Sequence, residues 1–331
     1  MSDRGCVAVI IAAYNSAATI AAAVASALAE PETAEVIVVD DASRDDTAGA
    51  ALAADDGSGR LRVIRQPANA GPSAARNAAI AASGAPYLAV LDADDFFLAG
   101  RLARLLRGGD DWDFIADNIA FVTDASGVAR DQSPVDAIPE YRRQLSLEEF
   151  VLRNISRPGH PRGEYGFMKP LMRRAALDRL GLRYDEALRL GEDFVFYASA
   201  LGRGARFALS SRVGYIAVER PNSLSGRHSV QDLRALRDAA ATMAAGFGAD
   251  RCPPGARAAL RQHGRQLEAK IRLREFLETK DRIGRPRALA ALIPRPARLG
   301  DVALGLLRDR RARHREPAKH PRLLFDQASF E

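Results

Sequence analysis

Leu88-Ala89-Val90-Leu91-Asp92-Ala93-Asp94-Asp95-Phe96 is an apolar run that feeds directly into three carboxylates within four positions. Its length and make-up predict a buried strand with the acidic residues standing at its end. Like charges this close repel, and burying them without partners is costly. A hard divalent cation with oxygen ligands, Mg²⁺ or Mn²⁺, held between carboxylates and substrate phosphates, neutralises such a cluster. The alternative is a solvated acidic turn that caps a helix beginning near Leu98.

The residues on either side extend the pattern. Val7-Ala8-Val9-Ile10-Ile11 is the continuous apolar run expected of a strand covered on both faces. Asn15 and Ser16 offer an N-cap to a helix that carries Ile20, Val24 and Leu28 on one face. Val36 to Val39 predicts a second strand, followed by Asp40-Asp41 and a turn in which Ser43 can cap a helix from Ala48 to Ala54. Leu61 to Ile64, Ser73 to Ala82 and Tyr87 to Leu91 read as strand, helix and strand. Short alternating units of this kind predict an α/β fold, a mostly parallel central sheet flanked by helices with right-handed crossovers. Ligands of such sheets gather at the carboxyl ends of the strands. Tyr14-Asn15, Asp40-Asp41 and Asp92 to Asp95 therefore converge on one rim. Further on, Asp113 to Phe121 reads as a strand, Leu147 to Asn154 and Ala175 to Leu180 as helices, and His160 to Pro170 as a Gly/Pro-rich loop. Gly191-Glu192-Asp193 opens a helix with Phe194, Ala198 and Leu201 facing inward, and Phe207 to Val218 supplies one or two last sheet segments. Beyond Arg227 the pattern is helical, broken at Pro253-Pro254, Pro286, Pro294 and Pro296.

With 331 residues, 47% of them hydrophobic, the chain can hold one large domain and an appendage. No apolar stretch approaches the roughly 20 residues needed to cross a bilayer. The N-terminus shows no basic segment followed by an apolar one, so no secretory signal is expected. Cys6 and Cys252 are far apart without metal-ligand spacing, as free thiols of a cytosolic protein would be. The formal charge of +6 hides an asymmetry: residues 226–331 carry 23 Lys/Arg against 12 Asp/Glu, and residues 1–225 are mildly acidic. This places a boundary near residue 225, with a helical basic extension after it. Basic tails seek phosphate in nucleic acid, anionic lipid or a lipid-linked pyrophosphate. The whole-chain pI of 9.6 does not by itself argue for nucleic acid.

Four segments in order, Ala12-Ala13-Tyr14-Asn15, Val38 to Thr47 (VVDDASRDDT), Asn69 to Asn77 (NAGPSAARN) and Leu91-Asp92-Ala93-Asp94-Asp95, strongly resemble family 2 glycosyltransferases with the GT-A fold. Gly191-Glu192-Asp193 is similar to the catalytic ED motif of that family, so the likeness spans about residues 5 to 225. Gly166-Phe167-Met168-Lys169-Pro170 and Arg220 to Ser225 are similar to bacterial exopolysaccharide transferases of the succinoglycan type, a looser match.

The resemblance implies an inverting, Mn²⁺- or Mg²⁺-dependent transfer of a sugar from a UDP-sugar, UDP-glucose or a related hexose, to a growing bacterial glycan. It implies that Asp41 contacts the uracil, with Ala12, Tyr14 and Asn15 lining the same pocket. Helix capping is the alternative for Asp41. Arg76 would reach the nucleotide or its diphosphate; otherwise it pairs with Asp40 and Asp41. Asp94 and Asp95 would lie nearest the metal and Asp92 nearer the ribose or sugar. Asp193 would be the general base that takes the acceptor hydroxyl's proton, with Glu192 as its rival or as a positioning group.

His160, Arg162, Glu164 and Lys169 either contact sugar or diphosphate or merely belong to a connecting loop. Arg220, Ser223, Ser225, Arg227 and His228 suit a lid over the diphosphate. His263, His314 and His320 read as surface residues, and Trp112 as core. Leu289, Leu292, Leu299, Val302 and Leu306 amid arginines either lie on an anionic inner membrane or pack on the catalytic domain. The acceptor would be a glycan or a polyprenyl-diphosphate-linked glycan, and the location cytoplasmic or peripheral on the inner membrane. No G-x-G-x-x-G or Gly-rich phosphate loop follows the first strand, which argues against a dinucleotide-dependent oxidoreductase and a nucleotidyltransferase. A non-catalytic nucleotide-sugar or glycan-binding protein of the same fold is the remaining alternative.

Overall fold

The unbroken apolar runs of the first ninety residues become parallel strands because both of their faces are covered by helices. In chain order these are β1 (Val7–Ala13), α1 (Ile20–Leu28), β2 (Thr33–Asp40), α2 (Thr47–Leu52), β3 (Leu61–Arg65), α3 (Pro72–Ala82) and β4 (Tyr87–Val90). The computed structural model describes residues 5–107, 109, 111–123, 140–156, 164–219, 229–290, 300, 302–306, 322–325 and 330. A short β5 (Phe96–Phe97) and α4 (Arg101–Leu106) lead to β6 (Phe114–Val122), β7 (Arg142–Gln144), α5 (Leu147–Arg153), β8 (Leu171–Arg173), α6 (Arg174–Leu180), α7 (Glu192–Gly202) and β9 (Phe207–Val218). Helices α8 (Val230–Ala245), α9 (Pro254–Ile283) and α10 (Arg285–Ala290) follow, then β10 (Arg322–Leu323).

The strands lie in the order β3-β2-β1-β4-β8-β6-β9-β5 in one sheet. β1, β2, β3 and β4 pair in parallel, as do β6 and β9, so the sheet is mostly parallel. β8 enters antiparallel between β4 and β6 and covers only Phe114 and Ile115 of the latter. β10 pairs antiparallel with Phe121 and Ala120 further along β6. Residues 207–218 form one continuous strand, with register shifts opposite Asn118. Trp112 is buried as read.

The caps differ from expectation, because Ser, Asn and Asp compete for the same role and tertiary partners choose among them. Thr19, not Asn15 or Ser16, precedes α1, and Asp46 rather than Ser43 caps α2 by accepting from Gly49 N. None of the three acidic residues after β4 caps α4, whose N-cap is Gly100. The helix-capping role offered for that cluster is therefore not the one it plays.

Arg101 is fully buried and grips Asp117 with Nε–Oδ2 at 2.9 Å and Nη2–Oδ1 at 2.7 Å. Its guanidinium lies 4.5 Å over the Phe97 ring and 5.4 Å over that of Tyr215. Gly214 is required beside this pair, since a Cβ there would come within 1.9 Å of Asp117 Oδ2. Removing one partner of such a pair strands a buried charge.

The extension packs on the catalytic part. α9 turns Ala256, Ala259, His263, Leu267 and Ile271 inward, a three-to-four-residue stripe, with Phe276 buried beyond it, and lies against α5 and α8. α8 covers the start of α7, where a Cβ on Gly191 would come within 2.7 Å of Leu236. Val302 is buried with Phe276 and Ala288 rather than presented outward, whereas Leu304 and Leu306 are exposed. Leu292 and Leu299 lie outside the described residues. The last strand is pinned by Asn118, which donates from Nδ2 to Phe325 O at 2.9 Å and accepts from Phe325 N at 2.8 Å.

His263 is not a surface residue. It is buried and stacks on Phe194 of α7 at 4.3 Å. Burial, reinforced by Lys270, pushes its pKa down to about 4. The folded value lies below the unfolded one, so the stability it confers is complete above about pH 6.5 and is lost as pH falls towards 4. His263→Phe should keep the stack and flatten that decline by about 3 kcal/mol, read from urea midpoints at pH 7 and pH 4. Asp117→Ala should cost about 3–5 kcal/mol in the same measurement at pH 7.

Candidate active site

The carboxyl ends of β1, β2 and β4 form one rim, as the strand pattern requires. At the β1 and β2 ends, Asn15 and Ala42 adopt φ values of 51° and 57°, a region that costs a non-glycine residue about 1–2 kcal/mol. The two loops are stapled together. Asn15 Oδ1 accepts from Arg44 N at 2.8 Å and Asn15 N donates to Ser43 Oγ at 2.9 Å. Ser16 N donates to Thr47 Oγ1 at 2.8 Å. Ala12 lies beside Val39 in the sheet, and Tyr14 beyond it is half-buried.

Asp41 caps no helix. Its carboxylate accepts from Ala70 N at 2.7 Å and Gly71 N at 2.8 Å, tying the end of β2 to the turn that opens α3. Asn69 adds a bond from Nδ2 to Asp41 O at 3.2 Å. Gly71, with φ of 94°, is the N-cap of α3, so the turn is matched to its residue.

α3 then delivers Arg76 to the β4 end. Arg76 does not pair with Asp40 or Asp41. Nη2 lies 3.1 Å from Asp92 Oδ1, and Nη1 lies 2.9 Å from Glu192 Oε1 and 3.4 Å from Asp193 Oδ1. Lys169, from the segment before β8, closes the circuit: Nζ lies 3.0 Å from Asp92 Oδ2 and 2.8 Å from Asp193 Oδ2. Arg76, Asp92, Lys169 and Asp193 thus form a ring of alternating charge, with Glu192 attached. The Arg76 and Lys169 side chains are each only 6% exposed. Burial works against the Asp92 anion, but Lys169 and Arg76 outweigh it and hold its carboxyl below the ordinary value. Burial likewise opposes the Lys169 ammonium, and Asp193 and Asp92 more than restore it.

Glu192 and Asp193 stand in the first turn of α7, where the helix dipole favours anions. Asp193 Oδ2 is bound to Lys169, whereas Oδ1 accepts no hydrogen bond among the described residues.

Asp95 is turned inward. Its carboxylate accepts from Tyr215 OH at 2.8 Å and from Val218 N at 2.9 Å, and Asp92 N donates to the same phenol oxygen at 3.1 Å. Burial, then the charges of Asp92 and Asp94, push the Asp95 carboxyl well above the ordinary carboxylate range. Asp94 is half-buried between them. Among the described residues no three His, Cys, Asp or Glu side chains are gathered as a metal cluster. Mg²⁺ and Mn²⁺ usually take one or two carboxylates and complete their shells with phosphates and water. An acidic, all-oxygen loop with surplus negative charge suits that mode.

Glu164 sits apart from the ring, accepting from Ser156 Oγ at 3.4 Å. His160, Arg162, Arg220, Ser223, Ser225, Arg227, His228, His314 and His320 lie outside the described residues. The motifs did not reveal Tyr215, Val218 or Arg101, and Lys169 stood only as one loop residue among four.

A mostly parallel sheet with an acidic loop at the end of β4 and a carboxylate at a facing helix N-terminus is the GT-A arrangement of glycosyltransferases. The chain belongs to glycosyltransferase family 2: the family described as "Glycosyl transferase family 2" matches residues 8–180. The succinoglycan biosynthesis protein ExoU of Rhizobium meliloti (strain 1021) is 52% identical over 309 residues, 93% of this chain and 89% of that protein. S. aureus TarS 1-349 in complex with UDP-GlcNAc superposes with a TM-score of 0.57 at 22% identity, over 82% of this chain and 72% of that one. The mannosyltransferase PcManGT of Pyrobaculum calidifontis, solved with GDP-Man and Mn²⁺, superposes at 0.54 with 18% identity, over 92% and 88%.

The Tyr215 hydroxyl is the donor to Asp95 Oδ2, while Val218 N serves Oδ1. Tyr215→Phe should lower stability by about 1–3 kcal/mol, measured by chemical denaturation, because a buried acceptor loses its partner. An unchanged midpoint would show that Val218 N alone suffices.

Proposed function

We propose that the protein is an inverting, metal-dependent hexosyltransferase that moves a sugar from a UDP-sugar, UDP-glucose or a related hexose, to a glycan of exopolysaccharide assembly. The observation that carries this is Asp193: a buried carboxylate at a helix N-terminus, with one oxygen fixed by Lys169 and the other accepting no hydrogen bond among the described residues, though Arg76 lies 3.4 Å from it. Such an oxygen can take the acceptor hydroxyl's proton as that hydroxyl attacks the anomeric carbon and the bond to the nucleoside diphosphate breaks. Glu192 holds Arg76, and Arg76 beside Asp92 is placed to meet the diphosphate.

The β1 and β2 ends, with Ala12, Tyr14, Asn15 and Asp41, form the nucleoside pocket in this reading. Asp94, with Asp92, would hold the divalent ion, and Asp95 would secure the loop through Tyr215 and Val218. The ion would neutralise charge developing on the leaving diphosphate. The exopolysaccharide assignment is supported by the 52% identity to a succinoglycan biosynthesis protein. The basic extension, with Leu304 and Leu306 exposed, supports a polyprenyl-diphosphate-linked acceptor met at the face of an anionic membrane. Among the described residues no helix is long and apolar enough to cross a membrane. A non-catalytic sugar-binding role is disfavoured because the base, the acidic loop and the anion-binding arginine converge on one rim.

UDP release should be measured over a panel of UDP-sugars with Mn²⁺ or Mg²⁺. One sugar should give metal-dependent release, and Asp94→Ala and Asp193→Asn should each lower it at least 100-fold. A wild-type protein that binds UDP and releases none, with or without polyprenyl-linked glycans, would sink the catalytic reading in favour of the binding one.

A further inference from the structure

We propose that Lys169 is a positioning residue for the transfer, fixing the carboxylate of Asp193 through Oδ2 so that Oδ1, which accepts no hydrogen bond among the described residues, is left to take the acceptor's proton; this rests on the reading of Asp193 as the base. Lys169 is the one member of the charge ring that comes from neither the acidic loop nor α3 nor α7. Its place is set from both sides of the chain. Arg101 Nη2 donates to the Lys169 carbonyl while locked onto Asp117. The preceding carbonyl, of Met168, accepts from Tyr197 OH at 3.0 Å, and Tyr197 stands on the same helix as Asp193. The lysine backbone and the base are therefore anchored to one rigid element, and the ammonium spans the 2.8 Å to Oδ2 without freedom to wander.

The second contact, 3.0 Å to Asp92, gives the arrangement its purpose. Asp92 and Asp193 come from opposite walls of the site and carry like charge. A cation between them holds the two walls at a fixed spacing and keeps the base from closing further on Arg76, which already pairs with Oδ1 at 3.4 Å. Without Lys169, Arg76 becomes the sole cation of the ring, and the base rotates to share it through both oxygens. That would occupy the lone pair that takes the proton. A role as a direct diphosphate ligand is the competing account, and the two differ in what a neutral side chain would change.

Lys169→Met and Lys169→Gln separate them, the second retaining N–H donors for Oδ2 without the charge. UDP release from the preferred donor gives kcat and KM, and titration calorimetry with UDP gives Kd, which also shows that each variant is folded. The expected result is a fall in kcat of at least 100-fold for Lys169→Met and a smaller fall for Lys169→Gln, with the UDP Kd within threefold of wild type. Retained kcat with UDP affinity weakened tenfold or more would overturn the proposal in favour of a diphosphate ligand. Kinetics within threefold of wild type for both variants would overturn it outright. If the wild type itself turned over no donor, the catalytic reading would fall first and this assignment with it, an outcome distinct from a defect confined to the variants.

Discussion

The site depends on one constraint: two buried cations must be shared among three carboxylates supplied by different parts of the chain. Arg76 arrives on α3, Asp92 on the loop after β4, Lys169 before β8, and Glu192 and Asp193 on α7. Desolvating any of these alone would be prohibitive, and the ring makes burial tolerable because Arg76, Asp92, Lys169 and Asp193 each meet opposite charge on two sides. The geometry of the walls follows from that requirement. β8 is inserted between β4 and β6, which brings the lysine to the rim, and the fully buried Arg101–Asp117 pair fixes the lysine carbonyl. A stability feature deep in the sheet thereby sets the position of a polar group at its edge.

The helical extension belongs to this architecture. His263 stacks on Phe194, the residue after Asp193, and Leu236 presses on the glycine that opens α7. Gln266 of α9 clamps Ser156, donating to its carbonyl at 2.8 Å and accepting from its N–H at 3.0 Å. The extension thus braces α7 and the chain near the loop that ends in Lys169. The charge asymmetry seen in the sequence is the other side of the same helices, with Arg257, Arg261 and Arg265 exposed along α9.

Much of this was legible in the sequence because it is local. Continuous apolar runs declare strands covered on both faces, and Asp92, Arg76 and Asp193 stood in motifs whose order matches their convergence on the rim. Failures came where a partner distant in sequence decides. Asn15, Ser16 and Ser43 carry cap-forming side chains, yet they staple two loops because the β1 and β2 ends lie side by side. Asp41 was open to a helix-capping reading, and its carboxylate instead accepts from the backbone N–H groups of residues 70 and 71. His263 is one polar residue on a highly charged helix, and nothing local distinguishes it from its solvated neighbours. A lone lysine in a Gly/Pro-rich loop gives no hint that two carboxylates await it.

The return of the chain at β10 carries a consequence for how the molecule is made. Asn118 and its neighbours on β6 bind a segment 207 residues later. At the usual synthesis rate of about 5–20 residues per second, that edge of β6 stays open for roughly 10–40 s after it emerges from the ribosome. An exposed strand edge is a template for pairing with another chain. The short β8 limits the hazard by occupying one end of β6 long before β10 exists, leaving only a few residues to wait. The order of elements along the chain therefore governs the newborn protein's exposure to misassembly as well as the shape of the finished one.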